Sequence, residues 1–136
     1  MVYNSGNVYV GEWRDGLRDG QGTMTRKDGS LMYEGGWRGN SKHGWGMYLF
    51  DAGDKYTGQW HYGERTGKGT YIWSNGEEYT GEFLNGLYNG QGTHVYSSGD
   101  RYAGGWSNHK KHGRVTFTAR DGMTRQEVWA NGVKDE

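Results

Sequence analysis

The chain has 136 residues, enough for one ordinary domain or a short array of small units. Sixteen basic and sixteen acidic residues cancel, which removes any whole-chain electrostatic case for nucleic acid or for an anionic surface. Cysteine is absent, so disulfides, thiolate metal centres and cysteine nucleophiles are excluded together.

Low mean hydropathy would by itself suggest disorder, but aromatic residues make up 15% of the chain and are spread along its length. The 27 glycines depress the mean without having side chains to bury. No apolar run reaches the roughly 18 residues of a membrane-spanning helix, and the N-terminus has no signal-like stretch. Lack of cysteine suits a reducing compartment.

In chain order, residues 1–8 read as the tail of a repeat, with Val2-Tyr3-Asn4-Ser5-Gly6 placing Gly6 three residues before Tyr9. Tyr9, Tyr33, Tyr56, Tyr79 and Tyr102 then recur at spacings of 24, 23, 23 and 23, defining units 9–32, 33–55, 56–78, 79–101 and 102–124. A degenerate half unit, 125–136, closes the chain, with Arg125 and Glu127 where Tyr and Gly belong. The abrupt start predicts a fragment of a longer array, since repeat arrays need capping units.

Each tyrosine is taken as position 0. Position 2 is Gly11, Gly35, Gly58, Gly81 and Gly104, and position 4 is Trp13, Trp37, Trp60, Phe83 and Trp106. These positions share one face of a strand, so two rings flank a bare backbone on which they can lie. Glycines at position 11 (Gly20, Gly44, Gly67, Gly90, Gly113) and position 13 (Gly22, Gly46, Gly69, Gly92, with Val115 departing) open a second strand, where they leave room for those rings. A β-favouring run follows, as in Thr70-Tyr71-Ile72-Trp73.

Two turn sets separate the strands. A loop over positions 5–10 has Gly16, Gly63 and Gly86 at position 7, replaced by Asn40 and His109, which also tolerate positive φ. The other carries Gly29, Gly53, Gly76, Gly99 and Gly122 at position 20, several in Asn-Gly or Asp-Gly pairs that signal hairpins. Each unit is therefore a hairpin, and the fold class is all-β, an elongated single-layer twisted antiparallel meander. Helix is excluded by the period of two and by glycines that would each cost about 1 kcal/mol. A 23-residue unit is too short for a propeller blade of about 40–45 residues.

The pattern in Tyr79-Thr80-Gly81-Glu82-Phe83 through Gly90-Gln91-Gly92 resembles the MORN (membrane occupation and recognition nexus) repeat, matched in register five times and departing at Asn40, His109, Val115 and Glu127. The resemblance implies a single-layer scaffold without cofactor. It also implies a cytoplasmic protein in a cytoskeletal, ciliary or membrane-associated assembly, or the regulatory region of a larger enzyme.

Catalytic readings of the residues are weak. Gly16–Gly22 and Gly63–Gly69 are glycine-rich, but no helix and no Gly-Lys-Ser/Thr complete a phosphate loop. Four of the five histidines, His43, His61, His109 and His112, fall in the predicted loops, and with His94 they define no metal-ligand set. Asp51, Asp54, Glu77, Glu78 and Asp100 recur as turn residues. Ser107 and Lys110 have a nucleophile-like spacing without companion motifs. Neither an enzyme nor a metal site is predicted.

A single-layer sheet cannot cover both faces, so the stripe of Tyr9, Trp13, Tyr33, Trp37, Tyr56, Trp60, Tyr79, Phe83, Tyr102 and Trp106 is the expected protein-binding face, open to an extended segment, a helix or a second copy. Uncapped end strands predict self-association. Charge is predicted to be two-sided: seven cations face three acids in the position 5–10 loops, and four cations face seven acids in the opposite turns. The alternative is phosphoinositide or anionic-membrane contact through Arg14, Arg18, Arg38, Lys42, Lys110 and Lys111. Units about 10 Å apart exceed the Debye length of about 8 Å, so only local pairs such as Lys110-Lys111 act together, and the expected contact is weak.

Overall fold

The structure is a computed structural model, and it describes residues 1–135; Glu136, the last residue of the half unit, lies outside the described residues. These residues form twelve strands in one open antiparallel sheet whose spatial order equals the chain order. The strands are β1 (Val8–Arg14), β2 (Leu17–Thr25), β3 (Leu31–Arg38), β4 (Ser41–Leu49), β5 (Lys55–His61), β6 (Glu64–Ile72), β7 (Glu78–Leu84), β8 (Leu87–Val95), β9 (Arg101–Ser107), β10 (Lys110–Thr118), β11 (Thr124–Ala130) and β12 (Val133–Lys134). Each unit contributes one hairpin, as the repeat predicts.

The expected loop over positions 5–10 shrinks to a two-residue turn. Asp15-Gly16, Gly39-Asn40, Tyr62-Gly63, Asn85-Gly86, Asn108-His109 and Asn131-Gly132 all have positive φ at both residues, as a type I′ turn requires. The second strand of each unit therefore begins at position 8, and Arg18, Lys42, Arg65, Lys111, His43 and His112 lie on strands rather than in loops. Sequence reasoning overestimated the loop because charged residues fill positions that a half-exposed strand also accepts. The opposite turns are longer: Gly29 N–H donates to Arg26 O (2.8 Å) and Arg26 N–H to Ser30 O (2.8 Å), with Gly29 at φ 89° closing the loop.

Within each unit the register slips between positions 2 and 4, a bulge that leaves a backbone N–H on the second strand without a ladder partner. In units 1, 3 and 4 the side chain at position 3 accepts it: Glu12 from Gln21 N–H, Gln59 Oε1 from Lys68 N–H (2.7 Å) and Glu82 Oε1 from Gln91 N–H (2.9 Å). Units 2 and 5 carry Gly36 and Gly105 there. A Cβ at either would collide with the carbonyl of His43 or His112, so these two bulges have a different shape.

The core is a ladder of rings. Tyr9, Tyr33, Tyr56 and Tyr79 lie against Gly22, Gly46, Gly69 and Gly92, where any Cβ would overlap the phenol. Their hydroxyls donate to backbone carbonyls three residues on, at 2.7–2.9 Å. Each ring meets the position-4 ring of its own unit and that of the next edge to face, with centroids 4.9–5.6 Å apart. Such pairs add about 0.5–1.5 kcal/mol each beyond buried area. Trp37, Trp60 and Trp106 also donate Nε1–H to Gly22, Gly46 and Gly92 of the preceding unit, at 3.0–3.1 Å. Neighbouring units are thus locked by rings as well as by backbone.

The ladder changes where the sequence departs. Val115 replaces the fifth position-13 glycine and is wholly buried, so its side chain fills the space over which Tyr102 would lie. Tyr102 stands half-buried instead, against Phe117 at 4.9 Å. Glu127, at a glycine position in β11, is a buried carboxylate that accepts from Arg125 Nε (2.5 Å) and Trp129 Nε1 (2.9 Å).

Candidate protein-interaction face

Most of the ten rings expected to bind a partner are core. Tyr9, Tyr33, Trp37, Tyr56, Trp60, Tyr79, Phe83 and Trp106 are buried, Tyr102 is half-buried, and Trp13 is 42% exposed. The correction has a simple cause: the glycines let rings lie flat, and each unit is roofed by the next. Trp13 is the exception because β1 is the first strand of the sheet, and no preceding strand supplies a carbonyl for its indole.

The same face carries a second aromatic row that the tyrosine-based stripe missed. Direct pairing joins Tyr48, Tyr56, Tyr71, Tyr79, His94 and Tyr102 across neighbouring strands, so all project from one face. Two residues on from Tyr48, Tyr71 and His94 come Phe50, Trp73 and Tyr96. Tyr48, Phe50, Tyr71, Trp73 and Tyr102 pack half-buried on the core. The signal was present at positions 15 and 17 of units 2, 3 and 4, as period-two rings at the end of the second strand.

Cations border this row on one side. Position 9 holds Arg18, Lys42, Arg65 and Lys111, each paired with or adjacent to a position-4 ring. The Arg18 guanidinium lies 4.7 Å from the Trp37 ring, and the Lys42 amine 5.1 Å from Tyr48. Arg65 lies 5.3 Å from Tyr71, and the Lys111 amine 4.0 Å from Tyr102 and 4.3 Å from Trp129. Burial pushes the Lys42 and Lys111 amines below the usual lysine range. Arg65 also donates to Gly86 O in the next unit (3.1 Å). In unit 4 the position belongs to Tyr88, which stacks on Tyr79 with centroids 3.9 Å apart.

The six cations considered for a membrane are therefore split. Arg18, Lys42 and Lys111 sit over rings, whereas Arg14, Arg38 and Lys110 are exposed beside the turns.

Acids border the row on the other side. Asp54 accepts from the Tyr71 hydroxyl (2.7 Å) and Ser74 N–H (2.8 Å), and burial together with this carboxylate pushes the Tyr71 phenol up to about 12. Glu77 lies 3.6 Å from His94 Nε2. His94 stacks between Trp73 and Tyr96, and its burial lowers the imidazole pKa despite Glu77 beside it. Asp100 takes the equivalent place and accepts from Arg120 N–H (2.9 Å). The ring face thus presents an aromatic strip between a cationic and an acidic border.

Among the described residues no group of three His, Asp or Glu side chains converges as a metal site. Among the same residues no helix is long and apolar enough to cross a membrane.

Comparison with known proteins agrees with this geometry. The MORN repeat family model matches residues 9–31, 33–55, 56–78, 79–101 and 102–124. A 48-residue stretch, 35% of the chain, is 42% identical to MORN repeat-containing protein 3 of Xenopus laevis. That stretch spans 20% of the relative's length. With five units matched in register and one hairpin per unit, the chain belongs to the MORN repeat family.

Proposed function

We propose that this array is a non-enzymatic protein-interaction scaffold whose ring face seats a helical segment of a partner. One observation carries the reading: the half-buried row Tyr48, Tyr71, Trp73 and Tyr102 runs between Arg18, Lys42, Arg65 and Lys111 on one side and Asp54, Glu77 and Asp100 on the other. The eight buried repeat rings form the rigid bed beneath this strip, and the exposed Trp13 lies beyond its N-terminal end.

A helix suits the strip better than an extended segment. Successive units are about 10 Å apart, two strand spacings. Seven residues of helix rise about 10.5 Å and return to nearly the same face. Three residues of an extended chain cover about the same distance but end on the opposite face. A partner helix with an apolar stripe flanked by acids on one side and bases on the other therefore matches both borders.

Tyr71→Ser and Trp73→Ser test the reading, because half-buried rings can be removed with less damage to the core than Tyr56 or Trp60. Affinity purification should recover a set of partners with the wild type that both variants lose, while Thr70→Ala on the opposite face retains it. If folded Tyr71→Ser and Trp73→Ser variants keep every partner, the strip is not the site. Flotation with phosphoinositide-containing vesicles, wild type against Lys110→Glu/Lys111→Glu, separates lipid contact from protein binding. Mass in solution across a concentration series tests self-association through the end strands.

A further inference from the structure

The repeat supplies an internal comparison, and two residues stand out against it on the face opposite the ring ladder. Position 12 is Gln21, Lys68, Gln91 and Arg114 in four units, yet Trp45 in unit 2, where the indole is 59% exposed. The first turn residue is Asp15, Gly39, Asn85, Asn108 or Asn131 elsewhere, yet Tyr62 between β5 and β6, 53% exposed. Tyr62 adopts φ +44°, a left-handed conformation that suits glycine or asparagine and strains an aromatic residue. Neither ring is needed by the fold, because the other units build the same hairpin without it.

The two belong to one surface. His43 lies 4.6 Å from the Tyr62 ring and 5.2 Å from His61, and His61 lies 4.8 Å from Tyr62. A shallow depression of about 430 Å³ is lined by His43, Trp45, Gln59, His61 and Thr66.

Its hydrogen-bonding capacity is weighted toward donors. His43 Nδ1 accepts from Tyr62 N–H (3.2 Å), which leaves the imidazole proton on Nε2. Gln59 Oε1 accepts from Lys68 N–H (2.7 Å), leaving its amide NH₂ free, and Thr66 Oγ1 accepts from Asn85 N–H (3.1 Å), leaving its hydroxyl proton free. The Trp45 indole is a donor only. Four lining side chains therefore offer N–H or O–H groups beside exposed aromatic rings, the His61 imidazole offers one donor and one acceptor, and no carboxylate or amine is among the lining residues.

We infer that this patch is a second binding site, distinct from the ring face, and that its ligand class is a proline-rich segment in the polyproline II conformation. Such a segment brings carbonyl acceptors without N–H groups, together with flat pyrrolidine rings that stack on Trp and Tyr. An ordinary segment would bring several N–H donors to a lining where only the His61 imidazole has a ring nitrogen that accepts nothing, and each further donor left unpaired on burial weakens binding. A phosphate ligand would need cations, and no lysine or arginine is among the lining residues; Arg38, 6.0 Å from the Tyr62 ring, lies outside the depression.

The test is titration of the ¹⁵N-labelled chain with acetyl-decaproline-amide, followed by NMR. Parallel titrations use a glycine-serine peptide of the same length and inositol hexakisphosphate. The expected result is a saturable shift of the Trp45 indole N–H and the Tyr62 amide with decaproline alone. Trp45→Gln and Tyr62→Asn install residues that other units use at the same positions, and each should weaken binding about tenfold or more. Both should fold with Tm unchanged or raised, since asparagine suits the turn. The inference is overturned if decaproline leaves both signals in place, if Trp45→Gln binds as well as wild type, or if inositol hexakisphosphate alone moves them. A fall in Tm in both variants would mean that the rings serve the fold, and would overturn it equally.

Discussion

The phenol of Tyr56 lies directly over Gly69 on the adjacent strand, so closely that a Cβ there would overlap the ring. Gly69→Ala must therefore push out a fully buried tyrosine that also touches Trp60 and Phe83. Overpacking of this kind costs about 1–3 kcal/mol. Gly16→Ala provides the control: Gly16 has φ +77° and nothing near its missing Cβ, so backbone strain alone acts, at about 1–2 kcal/mol. Urea unfolding should show the larger loss for Gly69→Ala together with raised accessibility of Tyr56. Equal losses and an undisturbed ring would refute the ring-space account.

The indole of Trp60 donates to Gly46 O at 3.1 Å, whereas unit 4 has Phe83 at the same position. Trp60→Phe is consequently a substitution the repeat already tolerates sterically, and its main cost is an unmet carbonyl of about 1 kcal/mol plus some lost packing. Trp13 is 42% exposed and makes no such bond. Trp13→Ala should cost clearly less than Trp60→Ala, which removes a buried ring at about 3–5 kcal/mol. Similar losses at the two positions would contradict the layered roofing of one unit by the next.

The hairpin per unit, the ring-glycine pairing and the positive-φ turn residues Asn40 and His109 were legible, because each follows from strand period and backbone sterics. The fate of the rings was not. A Tyr-Gly-Trp triplet states that rings have room, but whether they stay exposed depends on the next unit's packing, a relation between residues 27 apart such as Tyr33 and Trp60. The cation row was misplaced for a local reason: Arg18 and Lys42 look like loop residues until the turn is known to hold only two. Tyr62 was hidden by the same mistake; once the turn is placed, its φ of +44° and its alignment with Asn85 and Asn108 show that it occupies a place suited to asparagine.

Glu127 carries a prediction about acid. Burial pushes its carboxyl up, but the Arg125 and Trp129 hydrogen bonds and the charge of Lys134 3.5 Å away hold it below the usual carboxylate range. A depressed folded pKa means stabilisation that is fully present above the unfolded value, about 4.3, and is lost as pH falls through the folded one. Glu127→Gln removes the charged acceptor and should lower stability at pH 7 by about 1.5–3 kcal/mol. It should also flatten the stability profile below about pH 4. An unchanged acid limb in calorimetry of Glu127→Gln would show that the group does not control it.

A second acid step is expected at higher pH, from the histidines. Burial depresses the imidazoles of His43, His94 and His109; His61 and Arg38 add to the effect at His43, and Arg65 adds to it at His109. At His94, Glu77 opposes burial and Lys111 reinforces it. His43 and His109 accept the N–H groups of Tyr62 and Tyr88 through Nδ1, a role that a protonated ring cannot fill. With folded values below the unfolded 6.5 or so, their stabilisation is complete above that pH and is lost as pH falls through the folded values. The urea midpoint should therefore drop on going from pH 7.5 to about 5, before the Glu127 step begins. His94→Phe and His43→Thr place the residues of Phe117 and Thr66 at equivalent positions, so the double variant should fold and show a shallower slope over this range. An undiminished slope in the double variant, or a midpoint that rises on acidification, would contradict the assignment of this step to imidazole groups held neutral by their packing.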